Sequence, residues 1–203
     1  MNRKNHWENI YTEKSPLKVS WYQKEPLLSL ELISNSKLDK NAAIIDVGGG
    51  TSSLVGLMLD EGYSNITVLD MSFTALGIAK HRLGERSNLV KWIEVDITEF
   101  NPLHKYDLWH DRAVFHFLTD VQDQNKYIDV LKKTLKTRGY VIIASFAVDG
   151  PKKCSGLDIV QYDSKKISDK LGPRFRLLEN RPELHITPFN IEQKFCYFRF
   201  VKI

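Results

Sequence analysis

The chain has 203 residues, of which 42% are hydrophobic and 27% charged, and its formal net charge is +4. This is enough for one α/β domain with a proper core, 1–203, and argues against a second domain; basic and acidic residues are interspersed, which excludes a nucleic-acid-binding surface. The start of the chain lacks the apolar core of a signal peptide, no apolar run is long enough to span a bilayer, and Cys154 and Cys196 form neither a close pair nor a metal spacing, so the expectation is a reduced, cytoplasmic, metal-free protein.

Residues 1–25 are polar and rich in aromatics, with Trp7, Tyr11, Trp21 and Tyr22. After Pro26 the apolar residues Leu27, Leu28, Leu30, Leu32 and Ile33 fall near helical spacing, which predicts a helix up to Leu38. From there short apolar runs alternate with amphipathic segments. Strands are predicted over 43–47, 66–70, 90–95, 106–110 and 140–146, and helices over 53–61, 73–84, 114–118 and 122–137. Such alternation implies βαβ units and a parallel sheet covered on both faces. The end of the chain differs: 175–179 and 192–201 read as two strands with Pro182 and Pro188 between them and no helix, an antiparallel pair closing the sheet.

The first strand ends in Asp46-Val47-Gly48-Gly49-Gly50-Thr51-Ser52. Glycines there let the backbone turn sharply and let a ligand sit against the main chain, because no Cβ intervenes. Asp70 closes the second strand, where a carboxylate can accept from both hydroxyls of a ribose. Asp96 closes the third and can accept from an exocyclic amine of adenine, while the N–H of Ile97 donates to a ring nitrogen. Taken singly, Asp70 and Asp96 are equally well read as a cap and a turn residue. Three consecutive strands ending in suitable groups point instead to a nucleotide-type ligand beyond the carboxyl ends of the sheet. A dinucleotide fingerprint would need glycine where Ser53 stands, and no Tyr-x-x-x-Lys pair appears because Leu131 lies four residues after Tyr127, so a hydride-transferring enzyme is disfavoured.

With the fourth-strand segment from Tyr106 to Leu118, which contains Asp111-Arg112, the ordered set resembles the class I S-adenosylmethionine (SAM)-dependent methyltransferases over about residues 40–150. That resemblance implies a three-layer α/β sandwich with a doubly wound, mostly parallel seven-stranded sheet and an antiparallel C-terminal pair. It implies SAM as cofactor and S-adenosylhomocysteine as product. Asp46, Gly48, Gly49, Gly50 and Ser52 would border the methionine part, Asp70 the ribose and Met71 the adenine face. Asp96 and Ile97 would read the adenine edge, with Asp111 and Arg112 on its far side. Segment 1–38 would cover the cofactor with Trp7, Tyr11, Trp21 and Tyr22; 39–150 would be the binding core, and 151–203 would supply a substrate-side loop and the closing strands. Asp111-Arg112 and the stretch from Trp7 to Tyr11 are similar to a subgroup that methylates protein lysines.

Methyl transfer to a lysine requires loss of the ammonium proton, since an unperturbed pKa of about 10.4 leaves little free amine at neutral pH. His116, just past the fourth strand, is the candidate base and a candidate substrate contact, although a packing role fits it as well. His110 reads as structural. Cys154 and His185 are further substrate candidates, with Ser155, Gln161 and Tyr162 as lining residues and Lys152 and Lys153 as an attraction for anions. The acceptor is either a protein side chain, which predicts an open acidic groove, or a small metabolite, which predicts a pocket lidded by 1–25 and 150–163. A non-catalytic SAM-binding protein is a third reading. A monomer or weak homodimer is expected.

Overall fold

The computed structural model describes residues 2–102 and 104–203. In chain order it contains α1 (Arg3–Glu13), α2 (Leu27–Ser34), β1 (Ile44–Val47), α3 (Leu54–Asp60), β2 (Ile66–Asp70), α4 (Phe73–Leu83), β3 (Val90–Glu94), β4 (Tyr106–Arg112), α5 (Val121–Thr134), β5 (Leu135–Phe146), β6 (Lys153–Cys154), β7 (Leu157–Asp158), α6 (Ser164–Leu171), β8 (Phe175–Ile186) and β9 (Glu192–Lys202). Seven strands form one sheet in the order β3-β2-β1-β4-β5-β9-β8, parallel from β3 to β5 and antiparallel at β5–β9 and β9–β8. The chain moves outward from β1 in both directions, and the crevice where the order reverses lies at the carboxyl ends of β1 and β4.

The three layers follow from the alternation of side chains along each strand. Ile45, Val47, Leu69, Trp109, Val141, Ile143, Phe198 and Phe200 enter one core with Ile128 and Leu131 of α5 and Ile167 and Leu171 of α6. Their neighbours Ile44, Val68, Leu108, Ile142, Ala144 and Tyr197 enter the opposite core with Leu32 and Ile33 of α2, Leu54 and Met58 of α3 and Leu76 of α4. Both faces of β1 and β2 are therefore buried along their whole length, with Asp46, Thr67 and Asp70 among otherwise apolar residues.

Several boundaries differ from the sequence reading. The amphipathic stretch ends at Thr134, and Leu135–Lys136 already belong to β5, whose start pairs with Tyr106 of β4. The predicted helix at 114–118 is one 3-10 turn, Phe115–Phe117. The strand expected at 175–179 runs on to Ile186 despite Pro182, because β8 is an edge strand and a missing N–H costs no ladder bond on its outer side. Helices α1 and α6 and the β6–β7 hairpin were not anticipated. Among the described residues no helix is long and apolar enough to cross a membrane.

Candidate functional site

The carboxyl ends of the strands open into a cavity of about 820 Å³, mouth included. It runs along the sheet from Met71, Asp96, Ile97 and Leu118 on the β2–β3 side to Arg112, Cys154 and Phe195 on the β4–β9 side, with Val47, Gly48 and Asp70 between. A contiguous compartment of about 540 Å³ shares Tyr11, Trp21, Gly48 and Arg112 and adds Gln23, Ser29, Asp46, Gly49, Ser52 and His110.

The glycine turn shapes the floor. Gly48 has φ +67, and a Cβ there would sit 2.0 Å from Val114 Cγ2. At Gly50, φ is +40 and a Cβ would fall 2.9 Å from Asp70 Oδ2 and 3.2 Å from the Tyr11 hydroxyl. Arg82 of α4 ties the turn down by donating to the carbonyls of Thr51 (2.7 Å) and Ser52. Asp70 is 7% exposed, and its Oδ1 accepts from Ser72 N–H at 2.9 Å. Burial pushes its carboxyl up to about 7 against that hydrogen bond, with the charge of Asp46 adding to the rise. A buried carboxyl this reluctant to ionise gains from polar hydrogens placed against it. Asp96 uses Oδ1 to hold the N–H and hydroxyl of Thr98, and its Oδ2 lies 2.9 Å from Arg3.

The N-terminal segment covers the cavity. Trp7 packs edge-on against Phe117 (4.9 Å between centroids) and Trp21 (5.7 Å), and Tyr11 packs against Trp21 (6.2 Å). Two polar latches hold this lid. Arg3 bridges Asp96 and Asp123. Glu8 accepts from Phe73 N–H at 2.7 Å, from Thr74 N–H and from the Ser72 hydroxyl, over the start of α4. Burial alone would raise the Glu8 pKa; the hydrogen bonds from Thr74, Ser72 and Phe73 outweigh it and hold the carboxyl below its usual range.

The expected residues divide into those that face the cavity and those that do not. Asp46, Gly48, Gly49, Ser52, Asp70, Met71, Asp96, Ile97, Arg112, Trp7, Tyr11, Trp21, Tyr22 and Cys154 all line one compartment or the other. Asp111 does not. It is fully buried on the α5 side, where it accepts from Tyr127 Oη at 2.6 Å, Val114 N–H at 2.7 Å and Phe115 N–H at 3.0 Å. It braces the turn in which Ala113 adopts φ +74, rather than facing a ligand. Burial raises its carboxyl to about 6 even so.

His116 also falls away from the mouth. It is fully buried among Phe117 and Phe146, its Nδ1 faces the Phe146 N–H at 3.4 Å, and burial, with the charge of Arg112, drives it down to about 3. A ring so sealed and so reluctant to take a proton is unsuited to act as a general base. His185 is turned to the lid segment, with its Nε2 donating to the Ser20 carbonyl at 2.7 Å. Gln161 donates to the Gly150 and Pro151 carbonyls, Tyr162 stacks on Phe115, and Lys152 and Lys153 are exposed outside the cavity. Ser155 lies in a groove beyond Trp21.

The sequence reading missed Arg3, Glu8, Gln23, Ser29, Phe117 and Phe195. Helix α1 has no apolar stripe to announce it, since it rests on the cavity rather than on the core. Phe195 lay inside the predicted strand 192–201 but was not read as a wall of a site.

An aspartate-tipped β2, a glycine turn after β1 and an aromatic cover make a container suited to SAM. Its fit is supported by Asp46 Oδ2, a buried oxygen with no hydrogen-bond partner among the described residues, and by glycines whose Cβ atoms would fill the cradle. A family model described as a methyltransferase domain matches residues 38–185. The chain is similar to EEF1A lysine methyltransferase 2 of Danio rerio, 24% identical over 71% of this chain and 69% of that protein. It is also similar to malonyl-[acyl-carrier protein] O-methyltransferase 2 of Ilyobacter polytropus, 31% identical over 52% of this chain but only 40% of that protein's length. Among solved structures, the N-methyltransferase NodS from Bradyrhizobium japonicum in complex with S-adenosylhomocysteine superposes with a TM-score of 0.66, 19% identity and 89% of each chain covered.

Proposed function

Because the chain belongs to the methyltransferase-domain family of class I SAM-dependent enzymes, we propose that it passes the methyl group of SAM to a small acceptor that enters a lidded pocket and carries a carboxylate. The observation that carries this reading is the β4–β9 end of the cavity: it is walled by Trp21, Cys154 and Phe195, and its one charged lining residue is Arg112. The guanidinium lies 4.5 Å over the Phe195 ring, donates from Nε to Tyr197 Oη (2.8 Å) and from Nη1 to the Trp21 carbonyl (3.1 Å), and its Nη2 makes no hydrogen bond among the described residues. Glu183, 3.6 Å away, balances it only loosely. A lysine ammonium brought here would meet a cation. A carboxylate would meet a partner, and as a nucleophile it has no proton to lose.

When bound, SAM supplies a methyl group made electrophilic by its sulfonium. The chain supplies alignment, exclusion of water and charge. Trp7, Tyr11, Trp21 and Phe117 present aromatic surfaces suited to a cation and close the cavity to solvent. Asp70 and Asp96 stand where a ribose and an adenine edge would be held, and Asp46 with the glycine turn where the amino-acid end would rest. Cys154 and Tyr11 are poor bases there: burial pushes the Cys154 thiol up to about 11 and raises the Tyr11 phenol well above its usual range, so both stay protonated at neutral pH. The unpaired Cys154 and Cys196 support a reduced, cytoplasmic setting.

A protein lysine is the second reading, favoured by the relative named for that chemistry, which the match covers over 69% of its length. The two separate in one experiment. Tritiated methyl transfer from SAM into lysate of the source cells should label low-mass material, and Arg112→Gln should abolish the label while leaving S-adenosylhomocysteine affinity within about threefold. Label in protein bands, unaffected by that substitution, would overturn the small-acceptor reading in favour of lysine.

A further inference from the structure

Asp46 and His110 are register partners on β1 and β4, and both side chains turn toward α2. Nδ1 of His110 lies 2.7 Å from Asp46 Oδ1, and Nε2 lies 2.9 Å from Ser29 Oγ. The Asp46 and His110 side chains are 3% and 2% exposed, and Ser29 is fully buried. Both ring nitrogens of His110 are thus engaged, one by the carboxylate and the other by the Ser29 hydroxyl. The other carboxylate oxygen, Asp46 Oδ2, is buried without a hydrogen-bond partner among the described residues. A Cβ at Gly49 would stand 2.7 Å from it, so glycine keeps the space beside that oxygen clear. All of these residues line the smaller compartment.

A buried carboxylate oxygen without a partner, on a residue that borders a cavity, is an acceptor for a donor brought there, and an ammonium suits it best. We propose that His110 is a positioning residue for the cofactor. Clamped between Asp46 and Ser29, it fixes the Asp46 carboxylate with Oδ2 turned into the compartment, where that oxygen receives the α-ammonium of the cofactor's amino-acid end. The pair thereby makes the chain select an adenosyl compound with an intact amino-acid tail over one that ends at the thioether. Without His110, Oδ1 would be a second unpartnered buried oxygen, and the carboxylate would turn or take up a proton, losing the charge and aim the ammonium requires.

This inference rests on the SAM reading of the same cavity, and two ligands separate its failure from the failure of that reading. S-adenosylhomocysteine carries the tail; 5′-methylthioadenosine shares the adenosine and the sulfur and lacks it. By isothermal titration, His110→Ala should weaken S-adenosylhomocysteine at least tenfold and leave methylthioadenosine within twofold. His110→Asn, whose amide nitrogen falls near the place of Nδ1, should recover most of the loss. Ser29→Ala, the milder change if His110→Ala does not fold, should give a smaller loss confined to S-adenosylhomocysteine. Equal losses on both ligands would make His110 a merely structural residue and overturn the proposal, as would unchanged S-adenosylhomocysteine affinity in both variants. Failure of the unaltered protein to bind either ligand would overturn the cofactor site itself.

Discussion

The two ends of the cavity are built in opposite ways. The β1–β2–β3 end is made of strand termini in a parallel sheet buried on both faces, and its functional groups sit at fixed register positions. The β4–β9 end is closed by pieces from distant parts of the chain: α1, the segment around Trp21, the β6–β7 hairpin and β9. The first end is held by backbone ladders. The second is held by aromatic edges, and the α1 cover reaches back to the first end through two latches, Glu8 on the start of α4 and Arg3 across Asp96 and Asp123. Parts fixed by register can bind a constant cofactor, whereas parts fixed by side-chain contacts can open for entry and be exchanged to suit an acceptor.

Experiments that disturb one end and not the other would sharpen that contrast. The largest effect is expected at the rigid end. Gly48→Ala introduces a Cβ at positive φ against Val114 and should abolish detectable S-adenosylhomocysteine binding and cost about 3 kcal/mol of stability, read by calorimetry and denaturant melts. If binding survives within a few-fold, the cradle is not as constrained as its geometry implies. A smaller effect is expected at the lid. Glu8→Ala removes a cap on α4, costs about 1 kcal/mol and should speed cofactor release several-fold in stopped-flow while leaving the pH dependence of binding intact. An unchanged release rate would mean that α1 does not gate the cavity.

Protonation provides a third, smaller test. Asp70 titrates near 7 in the folded chain and lower when unfolded, so the stability that goes with its protonated form is present at acid pH and lost as pH rises through about 7. Two ribose hydroxyls are better received by the ionised carboxylate, so the rise in Tm on adding S-adenosylhomocysteine should be larger at pH 8 than at pH 6. A gain that is equal or reversed would remove Asp70 from the ribose. His116 behaves in the opposite sense. Its folded pKa is depressed, so its contribution to stability falls away as pH drops from about 6.5 toward 3. His116→Asn should lower Tm with little change in turnover, and a hundredfold fall in kcat at unchanged Tm would restore it as a base.

The same contrast explains what was readable in the sequence. Asp46, Asp70, Asp96 and the glycines announced themselves because a strand that ends in a polar group after an apolar run is a local pattern. Asp111 sits at the same kind of terminus, yet it points inward, because strand parity aims it at Tyr127 and a sequence does not show which face a helix will later cover. His116 was misjudged for a related reason: its turn folds back under Phe146 instead of continuing a helix toward solvent. Arg3 and Glu8 were invisible because their partners lie 64 or more positions away. Long-range latches leave no periodic trace.

The unpaired flank of β8 has a consequence for the behaviour of the protein in concentrated solution. An exposed twelve-residue strand is a template on which other chains can add, and Leu178, Leu184 and Ile186 leave apolar surface along it. Pro182 interrupts the row of backbone N–H groups near its middle, so an approaching copy meets a missing donor. Replacing Pro182 with a β-branched residue would complete the template, and self-association on storage is the trait that such a change would uncover.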